Sequence, residues 1–195
     1  MNGKLPMGRK ICIVIFSILI FIPSCRESKD DMDIVKQFKP EDKYFKAGLV
    51  SLHFIMETSP IARVDSTFDQ LIKEQDLPID AKGCKDGKYT GESPYDAYDY
   101  KHVVKIAIKD ERIISVDSNE IKKGGMGKQE DEEYCQEMSV TGTTPAIAYP
   151  RYESQLMKRQ NFLKIDAVTG ATYSLYRFRY AVMIALLKAQ LAPAG

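Results

Sequence analysis

The chain has no surplus of either charge, and that sets aside one large class of function. Lysine and arginine number 28 against 27 aspartates and glutamates, a formal net charge of +1. Nothing here makes the basic footprint that grips a phosphate backbone, so nucleic acid is not an expected partner. Histidine is nearly missing: His53 and His102 are the only two. They lie far apart with no CxxC or Cys/His spacing beside them, so no metal site is expected. The Gly-rich elbow at Gly124, Gly125 and Gly127 does not follow the spacing of a dinucleotide fold, which argues against a nicotinamide-dependent reductase. There is no internal repeat and no low-complexity segment. Nor is any apolar run long enough to span a bilayer: Ile11 to Ile22, ICIVIFSILIFI, would cover about 18 Å as a helix against a hydrocarbon core of roughly 30 Å.

What that run does have is the flank of an export signal. Lys4, Arg9 and Lys10 precede it, so it reads as the apolar stretch of a signal peptide covering residues 1–24. It ends in Ile22-Pro23-Ser24-Cys25, which resembles the lipobox of bacterial lipoproteins, with Cys25 as the lipidated first residue of the mature chain. The expected location is outside the cytoplasm, anchored through that lipid to the outer face of the cytoplasmic membrane or to an outer membrane. Removing the signal leaves 25 basic against 27 acidic residues, so the basic end serves targeting. Residues 25–33, with the charged run RESKDDMD, read as a tether. Cys12 falls in the signal, which leaves Cys84 and Cys135 either as a disulfide or as two buried thiols.

The remaining length fits one domain of ordinary size. Residues 34–83 read as a helical N-terminal extension. Within it AGLVSLHFIMETSP is apolar without a period, a helix or a strand ending at Pro60. Ser66 with Asp69 resembles a cap opening a helix whose face is Phe68, Leu71 and Ile72. From residue 84 to 195 the pattern changes to strands and turns. DGKYTGES gives a short opening strand. In HVVKIAIK, Val104, Ile106 and Ile108 share one face and Lys105 and Lys109 the other, as in a sheet with one buried side. A second strand, Arg112 to Val116, pairs with it across Asp110-Glu111 as an antiparallel hairpin. The polar run after Gly127 reads as a helix, another opens near Pro150 with Tyr152 and Leu156 on its apolar side, and the last carries Leu175, Phe178, Val182, Ala185, Leu186 and Ala189 as a packing stripe. The expected class is α+β: an antiparallel sheet flanked by helices, ending in a C-terminal helix.

Just before that helix stands DAVTGATYS, Asp166 to Ser174. Gly170 and Ala171 are small enough for close backbone approach, Thr169 and Thr172 offer hydroxyls, and a helix start presents amide donors at the positive end of its dipole. Such a place suits a phosphate. On the residues alone, a plain helix cap by Thr172 or Ser174 accounts for it as well.

DAVTGATYS resembles the flavinylation motif of the FMN-binding domain family, whose members include peripheral subunits of sodium- and proton-linked redox complexes and exported flavin lipoproteins. In that pattern an acidic residue and a Ser or Thr precede Gly-Ala-Thr, and the final Thr carries FMN through a phosphoester. Asp166, Thr169, Gly170, Ala171 and Thr172 fill those positions in order. The likeness extends over residues 84–190 through DGKYTGES, the hairpin and KKGGMGKQEDEEYCQEM, although Asp110-Glu111 replaces the usual Asp-Gly turn. What the resemblance implies is a membrane-anchored electron carrier with FMN on Thr172, modified by a separate flavin transferase that uses FAD as donor, exchanging electrons with redox partners that the sequence does not name. Tyr89, Met126 and Tyr134 are candidates to contact the flavin ring; His102 is expected to be a satisfied histidine at a sheet edge. The alternative reading is a non-redox surface lipoprotein that binds FMN without a covalent bond or binds none.

Overall fold

The computed structural model of the chain describes residues 61–75, 77–96 and 98–192. The signal segment, Cys25, the tether and the AGLVSLHFIMETSP run lie outside them. The described residues form an α+β domain in the order α1 (Ile61–Gln75), β1 (Gly87–Glu92), β2 (Tyr100–Lys109), β3 (Arg112–Lys122), α2 (Glu132–Ser139), α3 (Pro145–Arg159) and α4 (Thr172–Leu191), with single 3₁₀ turns at Lys128–Glu130 and Phe162–Lys164.

The three strands make an antiparallel meander in the order β1-β2-β3. Period-two alternation turns Tyr100, His102, Val104, Ile106 and Ile108 of β2 inward, while Lys105 and Lys109 stay exposed. The β2–β3 hairpin turns on two residues, Asp110 (φ 49°) and Glu111 (φ 56°), the positive-φ pair of a type I′ turn, made here without glycine. Two contacts from the segment before β1 hold it: the Gly83 amide donates to Glu111 Oε1 at 3.1 Å and the Asp110 amide to Asp86 Oδ1 at 2.9 Å. The third strand runs six residues beyond the expected Val116 and carries a bulge, because Ile108 pairs with Ile113 while Ala107 pairs with Ser115. Gln160 closes it, accepting from the Ile113 amide at 2.8 Å and donating to the Ile113 carbonyl at 3.0 Å.

α4 lies on the inner face of β1 and β2, and α3 covers β3. The stripe read from the sequence understates α4. Tyr176, Tyr180, Ala181, Met183, Ile184 and Leu187 are buried as well, because α1 closes one side through Phe68 against Tyr176 (6.4 Å between ring centres). The segment 84–85 closes another, with the Lys85 amide donating to the Ala189 carbonyl at 3.1 Å. A helix enclosed all round needs no polar face. Its contact with β1 is backbone against backbone: a Cβ on Gly91 would fall 1.9 Å from the Ala181 carbonyl oxygen.

Two expected helix starts move. Ser66 is internal to α1, which already runs from Ile61. α3 opens at Pro145, where a missing N–H is harmless, and accommodates Pro150 in its second turn. Among the described residues no disulfide forms: Cys84 is buried, with its thiol directed at the Leu186 carbonyl (3.5 Å) and pushed up to about 11 by burial, and Cys135 is a separate free thiol. Among the described residues no helix is long and apolar enough to cross a membrane.

Candidate functional site

The turn before α4 is built around one tyrosine. Tyr152 of α3 is fully buried, and its hydroxyl donates to the Ala171 carbonyl at 2.8 Å while receiving the Val168 amide at 3.4 Å. Burial pushes that hydroxyl up to about 12, so it remains a donor. At the front of the turn Gln155 brackets the backbone of Asp166, accepting from its amide (2.8 Å) and donating to its carbonyl (3.2 Å). The Asp166 carboxylate faces solvent in a two-point pair with Arg159, at 2.5 and 3.1 Å, which holds it below the usual carboxylate range. Gly170 takes φ +82°, and a Cβ there would sit 2.4 Å from Thr141 Oγ1. Glycine is required on both counts.

The motif residues therefore separate. Asp166 and Thr169 point outward, Gly170 and Ala171 line a cleft of about 170 Å³, and Thr172 is the half-buried first residue of α4. The expected side-chain cap is absent. Ala171 occupies the capping position and no side chain accepts from the first turn of this 20-residue helix, so its positive end is open toward the cleft.

The same cleft is lined by two cations that the sequence did not single out. Arg177, two turns into α4, and Lys128, from the turn after β3, line it together with Asp96, Ser174 and the rings of Tyr98, Tyr134 and Tyr173. Both cations are paired. Arg177 Nη1 lies 3.2 Å from Asp96 Oδ2 and 3.8 Å from Glu120 Oε1, and Lys128 Nζ lies 2.5 Å from Glu120 Oε2 with the Tyr134 and Tyr100 rings at 4.3 and 4.8 Å. Asp96 is fixed further by accepting the Tyr98 and Tyr100 amides at 2.9 and 2.8 Å. Burial alone would raise the Glu120 carboxyl, but the Lys128 and Arg177 cations against it outweigh that and keep the group ionised. Two positive and two negative charges thus balance beneath the helix start. An anion placed there gains directed donors and the helix field rather than a net positive pocket.

His102 is the main correction. It sits on the central strand, opposite Glu120 in register, wholly buried between Tyr149 (5.1 Å between ring centres) and Phe178 (5.4 Å). Neither ring nitrogen has a hydrogen-bond partner, and the nearest acid oxygen, Glu120 Oε1, is 3.5 Å from Nδ1. Burial depresses this imidazole, only partly opposed by Glu120, so it is neutral. A signal for its burial was available, since it is in phase with Val104, Ile106 and Ile108. Lys128 and Asp96 have no such local signature.

Beside the first cleft lies a second of about 510 Å³, lined by Tyr100, Lys122, Asp131, Glu133 and Glu137 and sharing Tyr98 and Tyr134 with it. Tyr100 closes its base by donating to Asp131 Oδ2 at 2.6 Å. Of the three residues expected beside a ring, only Tyr134 borders these clefts. Met126 is exposed, and Tyr89 folds back to donate to the Asp86 carbonyl at 3.3 Å.

No protein-family model and no curated protein matches the chain. Two solved structures are similar. The crystal structure of the CPE2226 protein from Clostridium perfringens aligns at 34% identity over 55% of this chain and 89% of that one, with a TM-score of 0.51. A solution structure of a Clostridium thermocellum protein aligns at 22% identity over 49% of this chain and 88% of that one, with a TM-score of 0.29. At 34% identity over an alignment that takes in 89% of the first of these, the chain belongs to the same family as the CPE2226 protein from Clostridium perfringens.

Proposed function

We propose that the protein is an exported, lipid-anchored flavoprotein that holds FMN at the start of α4, esterified to Thr172, and works as an electron carrier. The observation that carries this reading is the open start of α4: no side chain caps it, Thr172 is its first residue, and the adjoining cleft holds Lys128 and Arg177. That donor set fits a phosphate ester. The 510 Å³ cleft, joined to it through Tyr98 and Tyr134, is within the range of about 300–1,000 Å³ usual for small-molecule sites and has aromatic walls suited to a flat ring.

When bound, FMN supplies one- and two-electron redox chemistry that no side chain offers. The chain's own residues have holding roles. Tyr152 and Gly170 fix the turn so that the first amides of α4 face the cleft. Lys128 and Arg177 supply charged donors close to neighbouring carboxylates that keep them in place. Asp166, exposed and braced by Arg159 and Gln155, is placed where a flavin transferase carrying FAD could read it without entering the cleft. Covalent attachment suits a compartment outside the cytoplasm, where lost FMN is not readily replaced; Cys25 would carry the lipid.

Expression with a flavin transferase and FAD, followed by intact mass, tests the claim. The expected result is a gain equal to FMN less one water, absent in Thr172→Val. A colourless product of unchanged mass, or the same adduct in the variant, would overturn it and favour the non-redox lipoprotein. Cys25→Ser is expected to move the protein from the membrane fraction to the soluble one.

A further inference from the structure

His102 is a titratable group that the proposed attachment does not use, and its setting is unusual. It is sealed from solvent with two unpartnered ring nitrogens. Four charged groups govern it: Glu120 from β3, Lys128 from the turn after β3, Arg177 from α4 and, through Arg177, Asp96 from the segment before β2. From α3 the buried Tyr149 hydroxyl faces the cluster, with Glu120 and Ser174 beside it. Lys128 and Arg177 reach both ways, lining the cleft on one side and contacting Glu120 on the other. A negative charge in the cleft competes with Glu120 for those two cations and adds its own field, and both effects favour a positive charge at the imidazole.

We propose that His102 is a proton-accepting site coupled to the cleft: an anionic group seated against Lys128 and Arg177 is balanced by one proton taken from solvent, forming an N–H bond on His102 while Glu120 stays ionised. No electron moves in this step. It rests on the reading that a phosphate group occupies the cleft.

The test follows the imidazole directly. The chain contains only two histidines, so His53→Asn with ¹⁵N-histidine labelling leaves a single signal to titrate against pH. Three samples are compared: the unloaded protein, the unloaded protein with inorganic phosphate against chloride at equal ionic strength, and the protein with FMN on Thr172, its loading read by intact mass. His102 is expected to titrate about one pH unit or more higher, a tenfold change in proton affinity, with phosphate and with FMN but not with chloride. In Glu120→Gln, where only the cations face the ring, the midpoint should fall in every sample, and Glu120→Asp should restore part of it. An adduct of the right mass with an unmoved His102 overturns the coupling alone. Absence of the adduct with a phosphate-dependent shift overturns the attachment reading and leaves the coupling standing. A midpoint indifferent to both anions overturns the coupling whatever the mass.

Discussion

The Tyr152 hydroxyl donates to the Ala171 carbonyl at 2.8 Å, so one side chain of α3 fixes the backbone from which α4 starts. Tyr152→Phe keeps the ring and leaves that buried carbonyl short of a partner, a loss of about 1–2 kcal/mol in chemical denaturation. The Val168 amide, which donates to the same oxygen at 3.4 Å, should exchange its hydrogen faster. Unchanged stability with unchanged exchange would show that the turn holds itself.

Gly170 tests the same turn from the opposite side. Gly170→Ala meets both a left-handed φ of +82° and Thr141 Oγ1 at 2.4 Å, and should cost about 1–3 kcal/mol, read as a lowered Tm. Its exposed neighbour is the control: Thr169→Ala should change stability by no more than about 0.5 kcal/mol. Equal effects at the two positions would remove the structural argument for glycine.

The buried pair of Lys128 and Glu120 calls for a double-mutant cycle. Lys128→Met leaves Glu120 ionised and poorly compensated in the core, and such a removal costs about 3–5 kcal/mol. Adding Glu120→Gln should recover much of the loss, because the stranded charge goes with it. If the double variant is as unstable as the sum of the singles, the two groups are energetically independent despite a 2.5 Å contact.

Stability should fall on acidification in two stages. His102 is neutral in the folded chain because burial lowers its proton affinity. The unfolded chain therefore binds the extra proton first, and stability present above about pH 6.5 is lost as pH falls below it. Glu120, also depressed in the folded state, adds a second loss that begins near pH 4.3, the ordinary glutamate value. Glu153, which burial raises, opposes this second stage. Unfolding free energy measured from pH 8 to 4 should bend downward near 6.5, and His102→Gln should remove the first bend. A profile flat through 6.5 would mean that His102 takes up its proton equally in the folded and the unfolded chain.

How far the sequence carried depended on whether the information was local. The two-residue period of HVVKIAIK located β2 and its buried face, because successive side chains of a strand must point to opposite sides. Asp110-Glu111 marked the hairpin by length, but its type I′ geometry was hidden, since glycine is the usual sign and here the distant Gly83 and Asp86 support the turn. Pro150 read as a helix start because proline suits that position. Pro145 occupies it instead, and the second turn of α3 tolerates a missing donor.

Asp166 to Thr172 stood out in the sequence as one motif, and the turn, its glycine and the helix it opens follow from the residues themselves. Only tertiary structure decided which of those residues face the cleft and what stands opposite. Lys128, Arg177, Asp96, Glu120 and His102 come from five separate stretches of chain, and a sheet register together with one helix packing brings them within a few ångströms. Backbone preference is set by neighbours in sequence, whereas the field at a buried charge is set by neighbours in space.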